Sequence, residues 1–184
     1  MGEDRILQVI REVERAIGNG RLFPIVGPAK GELPYAFTLL AQPRLALELG
    51  TGIGYSCLHM ARALPLGAKL ISVDWNPQNA RKALRNLQKA GLEGVVEVVV
   101  EEVGAFLRRS TSLYDMIFLD VEKSRYLPLL EDCIEKLRTG GILVADNLLW
   151  PELRGFREAL RKHPRLRSAI IPIEDGISLS VKTG

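Results

Sequence analysis

The chain has 184 residues, enough for one domain with a sizeable core, and its 47% hydrophobic and 26% charged residues are an ordinary globular balance, so disorder is not the default. The formal charge of +3 is spread along the chain, with short groupings only at Arg161-Lys162 and at Arg165 and Arg167, so RNA is permitted as a partner but not indicated. Cys57 and Cys133 lie far apart in apolar segments and outside any CxxC spacing, which argues against a zinc or redox pair and for buried free thiols in a reducing cytosol.

Charge begins the chain at Met1 to Arg5, and no apolar run approaches the roughly 20 residues a membrane span needs. A cytoplasmic protein without membrane contact is expected. Ile6, Val9, Ile10, Val13 and Ile17 mark one face of a first helix, stopped at Gly18-Asn19-Gly20. That face either covers the chain's own core or supplies a homodimer interface. A second helix is expected after Gly31, ending near Pro43.

From Leu45 onward short apolar runs alternate with helical stretches. The runs are 45–49, 70–73, 95–100, 116–119 and 142–145; the helices are 55–63, 77–90, 103–109, 126–137 and 152–162. Asn76-Pro77 is a cap followed by a first-turn proline. Two last runs, 166–173 and 177–181, are joined by Glu174-Asp175-Gly176, a hairpin turn. Alternation of this kind predicts an α/β fold, a parallel sheet with helices on both faces, closed by a hairpin that adds an antiparallel edge strand. One domain spans 1–184, with 1–44 as a helical appendage to a core at 45–184.

Ligands of such sheets bind outside the carboxyl ends of the strands. There the first run passes through Glu48 into Gly50-Thr51-Gly52-Ile53-Gly54-Tyr55-Ser56, and later runs end at Asp74, Asp120 and Asp146-Asn147. The glycine loop lets backbone approach a ligand closely. Its spacing is GxGxG rather than the GxGxxG of dinucleotide binders, which disfavours an NAD-binding oxidoreductase. Asp74 ends the next strand, where a carboxylate can hold ribose hydroxyls. Trp75 either lies against an adenine ring or is a half-buried core side chain. Asp120, Asp146 and Asn147 carry hard oxygen donors that suit Mg²⁺, Mn²⁺ or Ca²⁺; a polar strand-end turn is the alternative. Lys123, from the residues alone, reads as a surface lysine paired with Asp120 or Glu122.

The stretch Leu45 to Ser56 (LALELGTGIGYS) resembles motif I of S-adenosylmethionine-dependent methyltransferases. Tyr114 to Tyr126 (YDMIFLDVEKSRY) and Gly140 to Trp150 (GGILVADNLLW) resemble the matching motifs of the cation-dependent O-methyltransferases that include the catechol and caffeoyl-CoA enzymes. Val26 to Gly31 (VGPAKG) resembles that branch's upstream loop, and Ile171 to Ser178 its closing hairpin. The resemblance implies a Rossmann-like class I methyltransferase fold, with a mostly parallel seven-stranded sheet and a C-terminal antiparallel hairpin. It implies a cofactor site for S-adenosylmethionine at Val26, Glu48, Gly50, Gly52, Tyr55, Ser56, Asp74, Trp75 and Asp120. It further implies a Mg²⁺ site at Asp120, Asp146 and Asn147, and Lys123 as the catalytic base. The acceptor it implies is a small hydroxyl compound, catechol-like or an acyl thioester. A tRNA hydroxyuridine O-methyltransferase is the nearest rival. Pro151 to Arg154 runs straight into a helix where the family has a longer stretch, so the acceptor itself is not carried over, and the adenine-edge contacts near Glu101 to Ala105 stay unassigned.

Overall fold

A computed structural model describes residues 2–18 and 28–184. In chain order the elements are α1 (Gly2–Gly18), α2 (Pro28–Ala41), β1 (Leu45–Leu49), α3 (Tyr55–Ala63), β2 (Lys69–Asp74), α4 (Pro77–Ala90), β3 (Val96–Val100), α5 (Val103–Arg109), β4 (Tyr114–Leu119), α6 (Tyr126–Lys136), β5 (Leu137–Asp146), α7 (Arg154–Lys162), β6 (Leu166–Ile171) and β7 (Ile177–Lys182). Short 3-10 turns at Lys123–Arg125 and Pro151–Leu153 lead into α6 and α7.

Local chemistry sets several of these bounds. Asn76 accepts from the Gln78 amide at 2.8 Å, Pro77 occupies the first helical position of α4, and Gly91 ends it with φ 72°. Glu102 caps α5 by accepting from Gly104 N at 3.0 Å and Ala105 N at 2.8 Å. Two expected element boundaries are corrected. The second helix begins at Pro28 rather than after Gly31. β5 begins at Leu137, well before the apolar run, because the strand passes through Gly140 (φ 82°) with a register irregularity against β4 between Tyr114 and Met116. A glycine in a left-handed conformation lets the strand continue through such an irregularity.

The strands form one seven-stranded sheet in the order β3-β2-β1-β4-β5-β7-β6. Neighbours from β3 to β5 pair in parallel; β7 pairs antiparallel with both β5 and β6. This corrects the expected antiparallel edge strand: the antiparallel strand is interior and β6 takes the edge. This follows from burial, since β7 carries the more buried pattern of the two.

Strand alternation sends side chains to two cores. Leu47, Leu49, Ile117, Leu119 and Leu143 pack with α5, α6 and α7. Ala46, Leu70, Met116, Phe118 and Val144 pack with α1 to α4. Ile6, Val9, Ile10 and Val13 of α1 are buried in this second core, so the apolar face of the first helix covers the chain's own interior. Each such side chain contributes roughly 1.5–3 kcal/mol of transfer free energy, which holds α1 in place by packing. Cys57 and Cys133 are free and buried. Among the described residues no helix is long and apolar enough to cross a membrane.

Candidate functional site

β1 lies between β2 and β4, and from there the chain builds outward in both directions. Strand loops diverge at such a switch point and leave a crevice at the carboxyl ends. The crevice here is a cleft of about 780 Å³, large enough for a cofactor together with a small acceptor. Gly50, Gly52, Tyr55, Ser56, Asp74, Trp75, Asp120, Lys123, Asp146 and Asn147 all line it.

One wall is the loop after β1. Gly50 has φ 102°, and a Cβ added there would lie 1.8 Å from the Asp120 carbonyl oxygen, so only glycine lets the loop pass the end of β4. Asp74 is buried and organises the adjoining corner: Gly52 N donates to it at 2.9 Å, Asn76 N at 2.8 Å and Asn79 Nδ2 at 3.3 Å. Trp75 is 64% exposed on the rim of the cleft and is no core side chain. Tyr55 is buried, and its hydroxyl donates to Glu14 of α1 at 2.6 Å. Glu102 and Val103, from the segment after β3, complete this end. Val26 lies outside the described residues.

Glu48 does not line the cleft. It is fully buried behind it, where the hydroxyls of Ser56 and Ser72 and the Cys57 thiol (2.6 Å) all donate to its carboxylate. Glu48 therefore reaches the cleft indirectly, through Ser56 and through Ser72 and Thr51. Burial pushes its carboxyl up to about 7, against the three donors that favour the charged form. A folded-state value above the unfolded one means that folding takes up a proton. Glu48's contribution is then fully present below its unfolded value near 4.5 and is lost as pH rises to about 7. Denaturant unfolding of the wild type and Glu48→Gln is expected to diverge over that window, with the wild type losing about 3 kcal/mol relative to the variant. Parallel pH profiles would contradict the burial argument.

The opposite end of the cleft is built from β4, β5 and the β6–β7 turn. Leu119 pairs with Ala145 in register, so Asp120 and Asp146, the next residues, stand at adjacent strand ends. Burial raises the pKa of both. Asp146 is pushed up to about 6, with the charge of Asp120 adding to the effect and Lys30 opposing it. Asn147 has φ 61°, a conformation asparagine tolerates. Its Oδ1 accepts from Lys123 Nζ and its Nδ2 donates to Asp175 Oδ2 at 2.6 Å. Lys123 Nζ is also 3.6 Å from Asp120 Oδ1 and 5.4 Å from the ring centroids of Tyr126 and Trp150. The lysine is thus paired with Asp120, as a surface lysine could be, but it is aimed into the cleft.

Two residues here were not singled out from sequence. Lys30 of α2 is 1% exposed and forms ion pairs with both Asp146 and Asp175. Burial opposes its charge, but the hydrogen bonds to the two carboxylates outweigh that and raise its pKa. Asp175, in the hairpin turn, accepts from Lys30, from Asn147 and from Trp150 Nε1 (3.1 Å). A turn aspartate and a lysine ahead of the expected start of the second helix carry no pattern that announces such a role.

Donor chemistry at this end suits a hard divalent cation. Among the described residues no cluster of three His, Cys, Asp or Glu ligands is present; the set is two carboxylates and one amide oxygen. Lysine ammonium groups stand on all three, Lys30 on Asp146 and Lys123 on Asp120 and Asn147. Positive charge is thus what the site collects, and the residues fit a magnesium-type ion.

A family model described as O-methyltransferase matches residues 25–183. The chain is 38% identical to bovine (Bos taurus) catechol O-methyltransferase over 148 residues, 76% of this chain and 54% of the relative. It is 29% identical to a caffeoyl-CoA O-methyltransferase of Arabidopsis thaliana over 76% of this chain and 64% of the relative. The chain thus spans little more than half the length of the catechol enzyme it matches. Among solved structures, a Streptomyces achromogenes O-methyltransferase involved in tomaymycin synthesis, in complex with S-adenosylmethionine, superposes with a TM-score of 0.86 at 26% identity, covering 96% of this chain and 90% of that one.

Proposed function

Because the chain belongs to the O-methyltransferase family, we propose that it moves the methyl group of S-adenosylmethionine to a hydroxyl of a small acceptor with the help of a divalent metal ion. The observation that carries this reading is the division of one cleft into two ends: Asp74 and the glycine loop at one, and Asp120, Asp146, Asn147 and Lys123 at the other.

The cofactor supplies a methyl group on a positively charged sulfur. Asp74 would accept from its ribose hydroxyls, and Trp75 would lie against its adenine. Glu102 and Val103 bound the same end, next to the ribose position. Gly50 and Gly52 let the backbone run close to the methionine portion. Holding methyl donor and acceptor oxygen in line is a positioning task, and the rigid strand ends perform it.

Asp120, Asp146 and Asn147 would hold the metal. A divalent ion there lowers the pKa of the acceptor hydroxyl and fixes its direction. Three protein oxygens leave coordination positions free, so an acceptor with two neighbouring oxygens, such as a catechol, fits the design. Lys123 would take the hydroxyl proton.

The test is methyl transfer from labelled S-adenosylmethionine with Mg²⁺ to a panel of catechols, hydroxycinnamoyl thioesters and bulk tRNA. Label is expected in a catechol or a thioester. Label confined to tRNA would replace the small acceptor by an RNA hydroxyl.

A further inference from the structure

Lys30 occupies the place where the proposed metal would need charge. Its ammonium is buried at the end of a long side chain from the first turn of α2 and bridges Asp146 and Asp175. A buried ammonium is costly unless it is paired, and here both carboxylates pair with it. Asp146 is 1% exposed, and its Oδ1 already accepts from Lys30 and from Asn147 N (2.8 Å). An ammonium in contact with that carboxylate and a divalent ion on the same carboxylate repel strongly in a site shielded from water.

We propose that Lys30 is a displaceable internal cation, which neutralises Asp146 in the metal-free protein and must withdraw from it when a divalent ion binds. The inference rests on the reading of Asp146 as a metal ligand. Asp175 makes the withdrawal possible. Its side chain is 33% exposed, and its Oδ2 is held by Asn147 and Trp150 while Oδ1 faces Lys30. Lys30 can therefore release Asp146 and keep Asp175, a partner at the edge of solvent. The metal-free site then carries no pair of uncompensated neighbouring carboxylates. Metal affinity becomes the outcome of a competition set by one lysine, so removing the lysine tightens metal binding.

Two measurements on the full chain test this. Mn²⁺ titration by calorimetry is expected to give a dissociation constant about tenfold lower for Lys30→Met than for the wild type, equivalent to ~1.4 kcal/mol. Asp120→Ala serves as the control that the heat comes from this site. The second measurement needs no variant at Lys30 and stands if Lys30→Met fails to fold. Amine acetylation of the wild type, read by mass spectrometry, should leave Lys30 protected without metal and modify it several-fold faster at saturating Mg²⁺. Equal Mn²⁺ affinities together with metal-independent labelling would overturn the role of Lys30 while leaving the metal site standing. Absence of Mn²⁺ binding at this site in both proteins would remove the metal reading and this inference with it.

Discussion

Lys123→Ala is expected to lower methyl transfer about 10²–10⁴-fold, the usual contribution of a general base, while S-adenosylhomocysteine binds as tightly as before. The separation of effects follows from position. Lys123 Nζ is fixed at the Asp120/Asp146 end of the cleft by Asn147 and Asp120 and bounded by the rings of Tyr126 and Trp150. Asp74, with Gly52, Asn76 and Asn79 donating to it, lies at the other end and makes no contact with this lysine. Lys123 is 22% exposed and Asp120 29%, so loss of the pair should cost the fold less than loss of a fully buried pair would. Lys123→Arg separates charge from proton transfer. Arginine keeps the positive charge but does not give up its proton near neutrality. If the lysine is the base, the arginine variant is as slow as the alanine variant. Wild-type turnover in either variant would return Lys123 to the status of a surface lysine.

Much of the fold was legible because its boundaries are written locally. The expected helices at 55–63, 77–90 and 103–109 coincide with α3, α4 and α5. Gly54 in a left-handed conformation opens the first, Asn76-Pro77 and Gly91 bracket the second, and Glu102 caps the third. Where pairing between distant strands decides, the reading fell short. The extension of β5 back to Leu137 depends on its bulged register with β4, and the insertion of β7 between β5 and β6 depends on burial. The site divides in the same way. Asp74, Asp120, Asp146 and Asn147 stand at strand ends, so recognising the strands placed them. Lys30 and Asp175 are 145 positions apart, and only the packing of α2 and the hairpin against the strand ends joins them. Glu48 also belongs to the packed interior. Its neighbours Ser56, Cys57 and Ser72 come from α3 and β2, and their convergence turns a motif carboxylate into a buried support for the wall of the cleft.

Metal removal is expected to have the largest effect of all. Without the ion, Asp120 and Asp146 are neutralised by Lys123 and Lys30, and both ammonium groups are then engaged with protein oxygens. Lys123 in that state is held by Asp120 and Asn147, and among the described residues at this end no other group is placed to lower the pKa of an acceptor hydroxyl as a divalent ion would. Methyl transfer should therefore stop while the residues around Asp74 still bind S-adenosylhomocysteine. Asp146→Ala removes one of the two carboxylates proposed to hold the metal and should abolish rescue by added metal. The most direct measurement is turnover of the purified chain with a catechol or thioester acceptor in excess EDTA, followed by addition of Mg²⁺ or Mn²⁺. Turnover lost in EDTA and restored by the metal, with S-adenosylhomocysteine affinity unchanged throughout, is the predicted result; full turnover in EDTA would contradict it.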